Sequence, residues 1–207
     1  MMGLKINMIK AILFDLDGVL VDACDWHYKA LNKALKISGY YEINKQDHMI
    51  TYNGLPTQIK LEMMGITGEN SKKINRLKQD FTLETIKNNA KIMKEKKELH
   101  TYLKKHNILI ACVTNSIRET AEEMLRCTGQ LKYMDLLITN EDVERNKPHP
   151  DCYNLAIKQL NVDPNDVLCV EDSEHGIQAA KNSLAKHIVI VKNTTEVTIN
   201  RLVEYLL

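Results

Sequence analysis

At 207 residues the chain is longer than one small domain, so a single core carrying an inserted module is the natural expectation. Its 44% apolar and 27% charged residues exclude a disordered chain, and a net charge of +1 gives no reason to expect a nucleic-acid partner. The apolar runs are too short to span a bilayer, which excludes a membrane partner, and the N-terminus lacks the long apolar stretch of a signal peptide. The cysteines, Cys24, Cys112, Cys127, Cys152 and Cys169, are odd in number and have no close pair, and Cys112 and Cys169 fall inside apolar runs, so a reducing cytoplasmic compartment is expected.

Short apolar runs alternate with longer segments of helical period, which predicts an α/β fold with a parallel sheet. The first strand is predicted over 11–14 and ends in Asp15-Leu16-Asp17-Gly18-Val19. Alternate residues of an extended segment point the same way, so Asp15 and Asp17 can face one site. Two such carboxylates repel unless a cation or a shared proton relieves them, and Gly18 allows the sharp turn away from the strand.

The distance to the next strand is far more than one crossover helix needs. Tyr28, Leu31 and Leu35 fall at helical spacing, as do Ile74, Leu77 and Phe81. Residues 24–92 therefore read as a helical module inserted after the first strand, leaving 1–23 and 93–207 for the core. The Lys-rich stretch from Lys72 to Lys105 reads as a solvated helix face.

The second strand, 108–113, leads into Thr114-Asn115-Ser116 and a helix over 118–127. Small hydroxyl and amide groups with a helix start suit phosphate oxygens, and equally suit simple capping. A third strand, 136–139, precedes Lys147-Pro148-His149-Pro150, where prolines restrict the backbone around a lysine able to face a phosphate. His149 has no orienting partner in sequence and reads as surface, and Asp151 is placed to cap a helix over 151–160. The fourth strand, 167–170, runs straight into Glu171-Asp172, a costly pair at a buried strand end unless it binds a cation or pairs with lysine. Oxygen ligands of this kind suit Mg²⁺. Ser173 is a helix cap, and a fifth strand is expected over 188–191.

Ligands of open parallel sheets bind beyond the carboxyl ends of the strands, where all four clusters fall. In this order they resemble the four motifs of the haloacid dehalogenase superfamily, in its capped phosphatase and β-phosphoglucomutase-like branch. Asp15–Val19, Thr114–Ser116, Lys147–Pro150, and Glu171–Ser173 with Gly176-Ile177 match motifs one to four. The resemblance implies a Rossmann-like parallel sheet core with an inserted all-helical cap, and Mg²⁺ as cofactor. It implies Asp15 as nucleophile toward phosphorus and Asp17 as acid and base. Asp15, Asp17 (through its carbonyl) and Asp172 would hold the metal, with Glu171 beside them. Lys147, Thr114, Asn115 and Ser116 would orient the phosphoryl group of a small phosphate ester.

The expected reaction is hydrolysis of that ester. A phosphosugar mutase is the first alternative, because His27 lies ten positions after Asp17, as a histidine does in the mutases. Against it, the loop Gly54–Gln58 carries Thr57 where the mutases place an arginine for the distal phosphate, and Leu31 stands where they carry a cap tryptophan. Lys60 is the nearest cation to that loop, and one helical turn would bring it within reach of a phosphate. A catalytically silent binding protein is the second alternative, although no motif residue is missing. Trp26, His27, Tyr28, Tyr52, Gly54, Leu55 and Thr57 are the residues expected to read the leaving group. Nothing in the sequence speaks to oligomeric state.

Overall fold

The structure is a computed structural model that describes residues 9–206; residues 1–8 and 207, which the sequence reading gives to the core, lie outside the described residues. Five strands form one parallel sheet: β1 (Ala11–Phe14), β2 (Leu109–Val113), β3 (Leu136–Ile138), β4 (Val167–Glu171) and β5 (His187–Ile190), in the order β3-β2-β1-β4-β5. The expected α/β fold class is the observed one. Strand ends differ from the expected ones by a residue, with Ile108, Thr139 and Val191 just outside and Glu171 and His187 inside.

Because side chains alternate along a strand, the sheet splits its apolar residues between two faces. Ile12, Phe14, Ile110, Cys112, Leu168 and Val170 pack on one face. Ala11, Leu13, Ala111, Val113, Val167 and Cys169 pack on the other. Helices α5 (Lys94–Lys105), α6 (Arg118–Cys127), α7 (Asp151–Leu160), α8 (Glu174–Asn182) and α9 (Ile199–Leu206) accompany these strands. Ser173 caps α8, its Oγ accepting from the Gly176 N–H at 3.1 Å. Asp151 does not cap α7. Pro150 holds that position, and Asp151 already has helical backbone, so its carboxylate turns outward and takes the Arg145 guanidinium through two 2.9 Å hydrogen bonds.

Between β1 and β2 lie α1 (Cys24–Ile37), the short α2 (Lys45–Asp47) with a π-helical turn at His48–Tyr52, α3 (Thr57–Met63) and α4 (Gly68–Asn89). They have an apolar core of their own, formed by Leu31, Ala34, Leu35, Ile43, Leu61 and Ile74. Leu31 is fully enclosed there, so Leu31→Ala should lower the unfolding free energy by about 2–5 kcal/mol, read from urea denaturation. A change within about 0.5 kcal/mol would show that this core is loosely packed.

The reading of Lys72–Lys105 as one solvated face needs correction, because Lys78 and Lys96 are buried, at 6% and 3% exposure. Lys78 lies on the buried stripe of α4 with Ser71, Ile74, Thr82 and Ile86. Lys96 donates to the carbonyls of Thr194 at 2.5 Å and Val197 at 2.9 Å, tying α5 to the segment before α9. Among the described residues no helix is long and apolar enough to cross a membrane.

Candidate active site

The carboxyl ends of β1, β2 and β4 open into a cleft of about 140 Å³ beneath the helical insert. This is the crevice that an open parallel sheet leaves where its strand order reverses. Asp15 and Asp17 both line it, as alternation along an extended chain requires. Gly18, at φ +91°, turns the chain away, and a Cβ there would sit 2.0 Å from Asp172 Oδ2. Only glycine lets the first and fourth motifs approach this closely. Gly176 does the same for Glu171, whose carboxylate oxygens would lie 2.1 Å from any Cβ.

Lys147 is the hub. An ammonium has three donors, and here all are engaged: Asp15 Oδ1 at 2.6 Å, Glu171 Oε1 at 2.6 Å and the Val113 carbonyl at 2.8 Å. The Tyr153 hydroxyl, from α7, donates to the same Glu171 oxygen at 2.5 Å. Burial pushes the Asp15 carboxyl well above the usual range, Lys147 opposes the rise, and Glu171 and Asp172 add to it. Burial and then Glu171 raise Asp172 to about 7. Lys147 stays above its ordinary value because Asp15 and Glu171 outweigh the cost of burying it.

The residues present fit a divalent cation. Asp15, Glu171 and Asp172 each offer an oxygen, and these oxygens lie within 4.8 Å of one another. Lys147 bridges two of the three carboxylates, and Asp172 Oδ1 is buried with no hydrogen-bond partner. Three carboxylates against one ammonium leave negative charge that a hard cation with oxygen ligands would offset. Asp17 contributes no side-chain oxygen to this cluster.

Asp17 is held differently. His27 Nε2 lies 3.0 Å from its Oδ1, and Ser116 Oγ donates to its Oδ2 at 3.1 Å. Lys78 Nζ lies 3.1 Å from His27 Nδ1. Lysine can only donate, so Nδ1 is the acceptor and the proton sits on Nε2, directed at Asp17. Burial alone would raise Asp17, but His27, Ser116 and Lys78 outweigh it, and the carboxyl sits below its ordinary value. The orienting partners of His27 are therefore Asp17 and Lys78.

Thr114, Asn115 and Ser116 all line the cleft. Thr114 Oγ1 accepts from the Ser116 N–H at 3.0 Å. The Asn115 side chain is a strut: its amide nitrogen donates to the carbonyls of Gly54 at 3.1 Å and Lys147 at 3.2 Å, and its oxygen accepts from the Lys147 N–H at 3.1 Å. That leaves its backbone for an anion, and it links the Gly54 loop of the insert to the lysine of the core.

Of the residues expected to read the leaving group, His27, Gly54, Leu55 and Thr57 line the cleft. Trp26, Tyr28 and Tyr52 do not. Trp26 packs against the apolar cluster that covers one face of the sheet, Tyr28 lies edge-on to His48, and Tyr52 joins the core of the insert. His149 is exposed, as expected. The sequence reading missed Tyr153 and Lys78. A lysine on the apolar stripe of α4 was the available signal for Lys78, and a tyrosine on the buried face of α7 for Tyr153.

A family model described as haloacid dehalogenase-like hydrolase matches residues 12–190. A phosphorylated carbohydrates phosphatase of Thermotoga maritima is 28% identical over 180 residues, covering 84% of this chain and 82% of that one. A pyrophosphatase PpaX of Bacillus velezensis is 27% identical over 185 residues, covering 86% and 81%. Among solved structures, a β-phosphoglucomutase of Clostridium difficile superposes with a TM-score of 0.80 at 23% identity, over 96% of this chain and 97% of that one.

Proposed function

The chain belongs to the haloacid dehalogenase-like hydrolase family, and we propose that it is a magnesium-dependent phosphomonoester hydrolase working through an aspartyl phosphate on Asp15. Its relatives carry the names of phosphatases of small phosphorylated substrates. The observation that carries the reading is Lys147 bridging Asp15 and Glu171 in the cleft where His27 and Ser116 hold Asp17.

Asp15 attacks phosphorus in line, a carboxylate–phosphorus bond forming as the bond to the leaving oxygen breaks. Asp17 gives that oxygen its proton. An arriving phosphate dianion beside Asp17 raises its proton affinity, so the carboxyl loads its proton when substrate binds. The alcohol departs and water attacks the aspartyl phosphate. Asp17 takes the water's proton, inorganic phosphate leaves, and Asp15 is regenerated. Lys147 and the Thr114–Ser116 turn offset charge on the transferring group. Asp15, the Asp17 carbonyl and Asp172, with Glu171 alongside, would hold Mg²⁺, whose chemistry is to neutralise and align the phosphoryl oxygens.

We assign 24–92 as the cap and 1–23 with 93–207 as the core. The assignment rests on the separate apolar cluster of α1, α3 and α4. The cysteines among the described residues are all free, which suits a reducing, cytoplasmic setting.

Hydrolysis, rather than phosphoryl shuttling within a sugar, follows from Thr57, whose hydroxyl cannot clamp a distal phosphate as an arginine would. Lys60, one turn along α3, also lines the cleft and is the feature that favours a mutase. Supplying β-glucose 1-phosphate with a trace of β-glucose 1,6-bisphosphate separates the two. Stoichiometric phosphate release from monophosphates, with no need of the bisphosphate, is expected across a metabolite panel. Rapid conversion to glucose 6-phosphate without phosphate release would overturn the assignment.

A further inference from the structure

Behind the turn that carries Asp17, a polar pair is buried in the apolar layer on one face of the sheet. Gln130, just past the end of α6, and His100, on α5, are both fully enclosed. The Gln130 amide nitrogen donates to the Leu20 carbonyl at 3.1 Å and to Thr128 Oγ1 at 2.9 Å. A carbonyl can only accept, so the nitrogen must face Leu20, and Gln130 Oε1 is left to accept from His100 Nε2 at 3.0 Å. The other ring nitrogen of His100, Nδ1, is buried with no hydrogen-bond partner. Burial holds this imidazole down to about 4, so it stays neutral and gives its one proton to Gln130. The His100 ring packs edge-on against Phe14, the residue before Asp15, at 5.9 Å, and against Tyr133 at 5.6 Å. Leucine, isoleucine and valine fill most of the surrounding layer, and apolar side chains at these two places would leave no unpaired ring nitrogen. Stability alone therefore does not account for the pair.

What Gln130 holds is the peptide between Leu20 and Val21. The N–H groups of Leu20 and Val21 both donate to the Leu16 carbonyl, at 2.9 and 2.8 Å, and the Val21 carbonyl accepts from the Gly18 N–H at 2.8 Å. Val21 also pairs with Asp17 across the turn. Rotation of the Leu20–Val21 peptide would therefore displace the backbone on both sides of the Asp17 side chain. Two residues on, the Ala23 carbonyl accepts from the His27 N–H at 3.1 Å, so the same segment sets the start of α1 and the histidine that faces Asp17. We propose that Gln130, seated on His100, is a positioning residue for Asp17: by fixing the Leu20 carbonyl it fixes the turn that presents the Asp17 carboxyl to the leaving oxygen. The inference rests on the phosphatase reading and deepens it, by tracing the placement of the acid to a side chain that touches no substrate.

Leaving-group dependence tests it, because kcat/KM reports the steps through departure of the alcohol. Glycerol 1-phosphate expels a basic alkoxide that needs the proton of Asp17, whereas p-nitrophenyl phosphate expels a stable phenolate that does not. Gln130→Met fills a similar space without donors. It should lower kcat/KM for glycerol 1-phosphate by about tenfold or more and for p-nitrophenyl phosphate by less than about threefold. A loss of folded protein would lower both alike. His100→Phe, which keeps a ring and loses the donor, should shift the ratio of the two in the same direction by a smaller factor. Proton NMR reads the placement without turnover. The His27 Nε2 proton, assigned by its absence in His27→Gln, is directed at Asp17 and should exchange about tenfold faster in Gln130→Met. Equal losses on the two esters, or an unchanged His27 proton in a folded Gln130→Met protein, would overturn the proposal even if phosphate is released. Absence of phosphate release from either ester, with the faster exchange still seen, would sink the phosphatase reading and leave the positioning of Asp17 standing.

Discussion

Replacing Asp15 with Asn abolishes phosphate release, lowering kcat by about 10⁴-fold or more, and leaves the protein at least as stable as before. An amide oxygen cannot form the acyl phosphate, and no other carboxylate stands in the position of Asp15. The geometry survives, because Asn retains an oxygen where Asp15 Oδ1 accepts from Lys147, and Lys147 keeps Glu171 and the Val113 carbonyl. Burial pushes the Asp15 carboxyl well above the usual range, and Glu171 and Asp172 push it further, so the folded protein is strained by the ionised group that chemistry requires. Removing one of three crowded carboxylates relieves that repulsion. Activity and stability should therefore move in opposite directions, a trade often seen where a site is built for reaction. Phosphate release and thermal denaturation measured on one preparation check both halves, with mass spectrometry excluding deamidation back to Asp. Substantial activity in verified Asp15→Asn would remove the nucleophile from the mechanism.

The parts of this site that could be read in the sequence are those fixed by strand ends. Asp15 and Asp17 sit where β1 stops, Thr114 where β2 stops, and Glu171-Asp172 where β4 stops, and an apolar run of four or five residues marks each place without ambiguity. The separate apolar core of the insert was foreshadowed by Leu31, Leu35 and Ile74. What escaped is what depends on how elements meet. Lys78 lies in a stretch crowded with lysines, and its burial arises because α4 packs against α1, α3 and α6. Tyr153 touches Glu171 because α7 crosses the sheet face, a relation between residues eighteen apart that no local pattern encodes. Asp151 failed as a cap for a local reason: the helix begins one residue earlier in backbone terms, at a proline that has no capping side chain.

Removing divalent metal should cost about a thousandfold or more in turnover, because several kcal/mol of charge stabilisation at the transferring group would be lost. The protein's own charges supply the reason. Asp15, Glu171 and Asp172 converge within 4.8 Å, while Lys147 already has its three donors on Asp15, Glu171 and Val113 and has none left for Asp172. Asp172 Oδ1 is buried without a partner, and Gly18 presses so close to Asp172 that a Cβ would lie 2.0 Å from the carboxylate. That close approach leaves little room for the side chain to swing away and find another donor. A small ion with oxygen ligands meets the requirement, and Mg²⁺ fits better than Ca²⁺, which favours a looser shell of more ligands. Dialysis against EDTA followed by a return of Mg²⁺ should restore turnover, whereas Ca²⁺ at the same concentration should restore little. Mg²⁺ should also raise the melting temperature in a concentration-dependent way, since an ion bound only by the folded state stabilises it by mass action. Asp172→Ala should remove that thermal response, a readout that needs no substrate. Undiminished turnover after EDTA, or a melting temperature indifferent to Mg²⁺, would dissociate the acidic cluster from metal binding and leave Lys147 as the centre's cation.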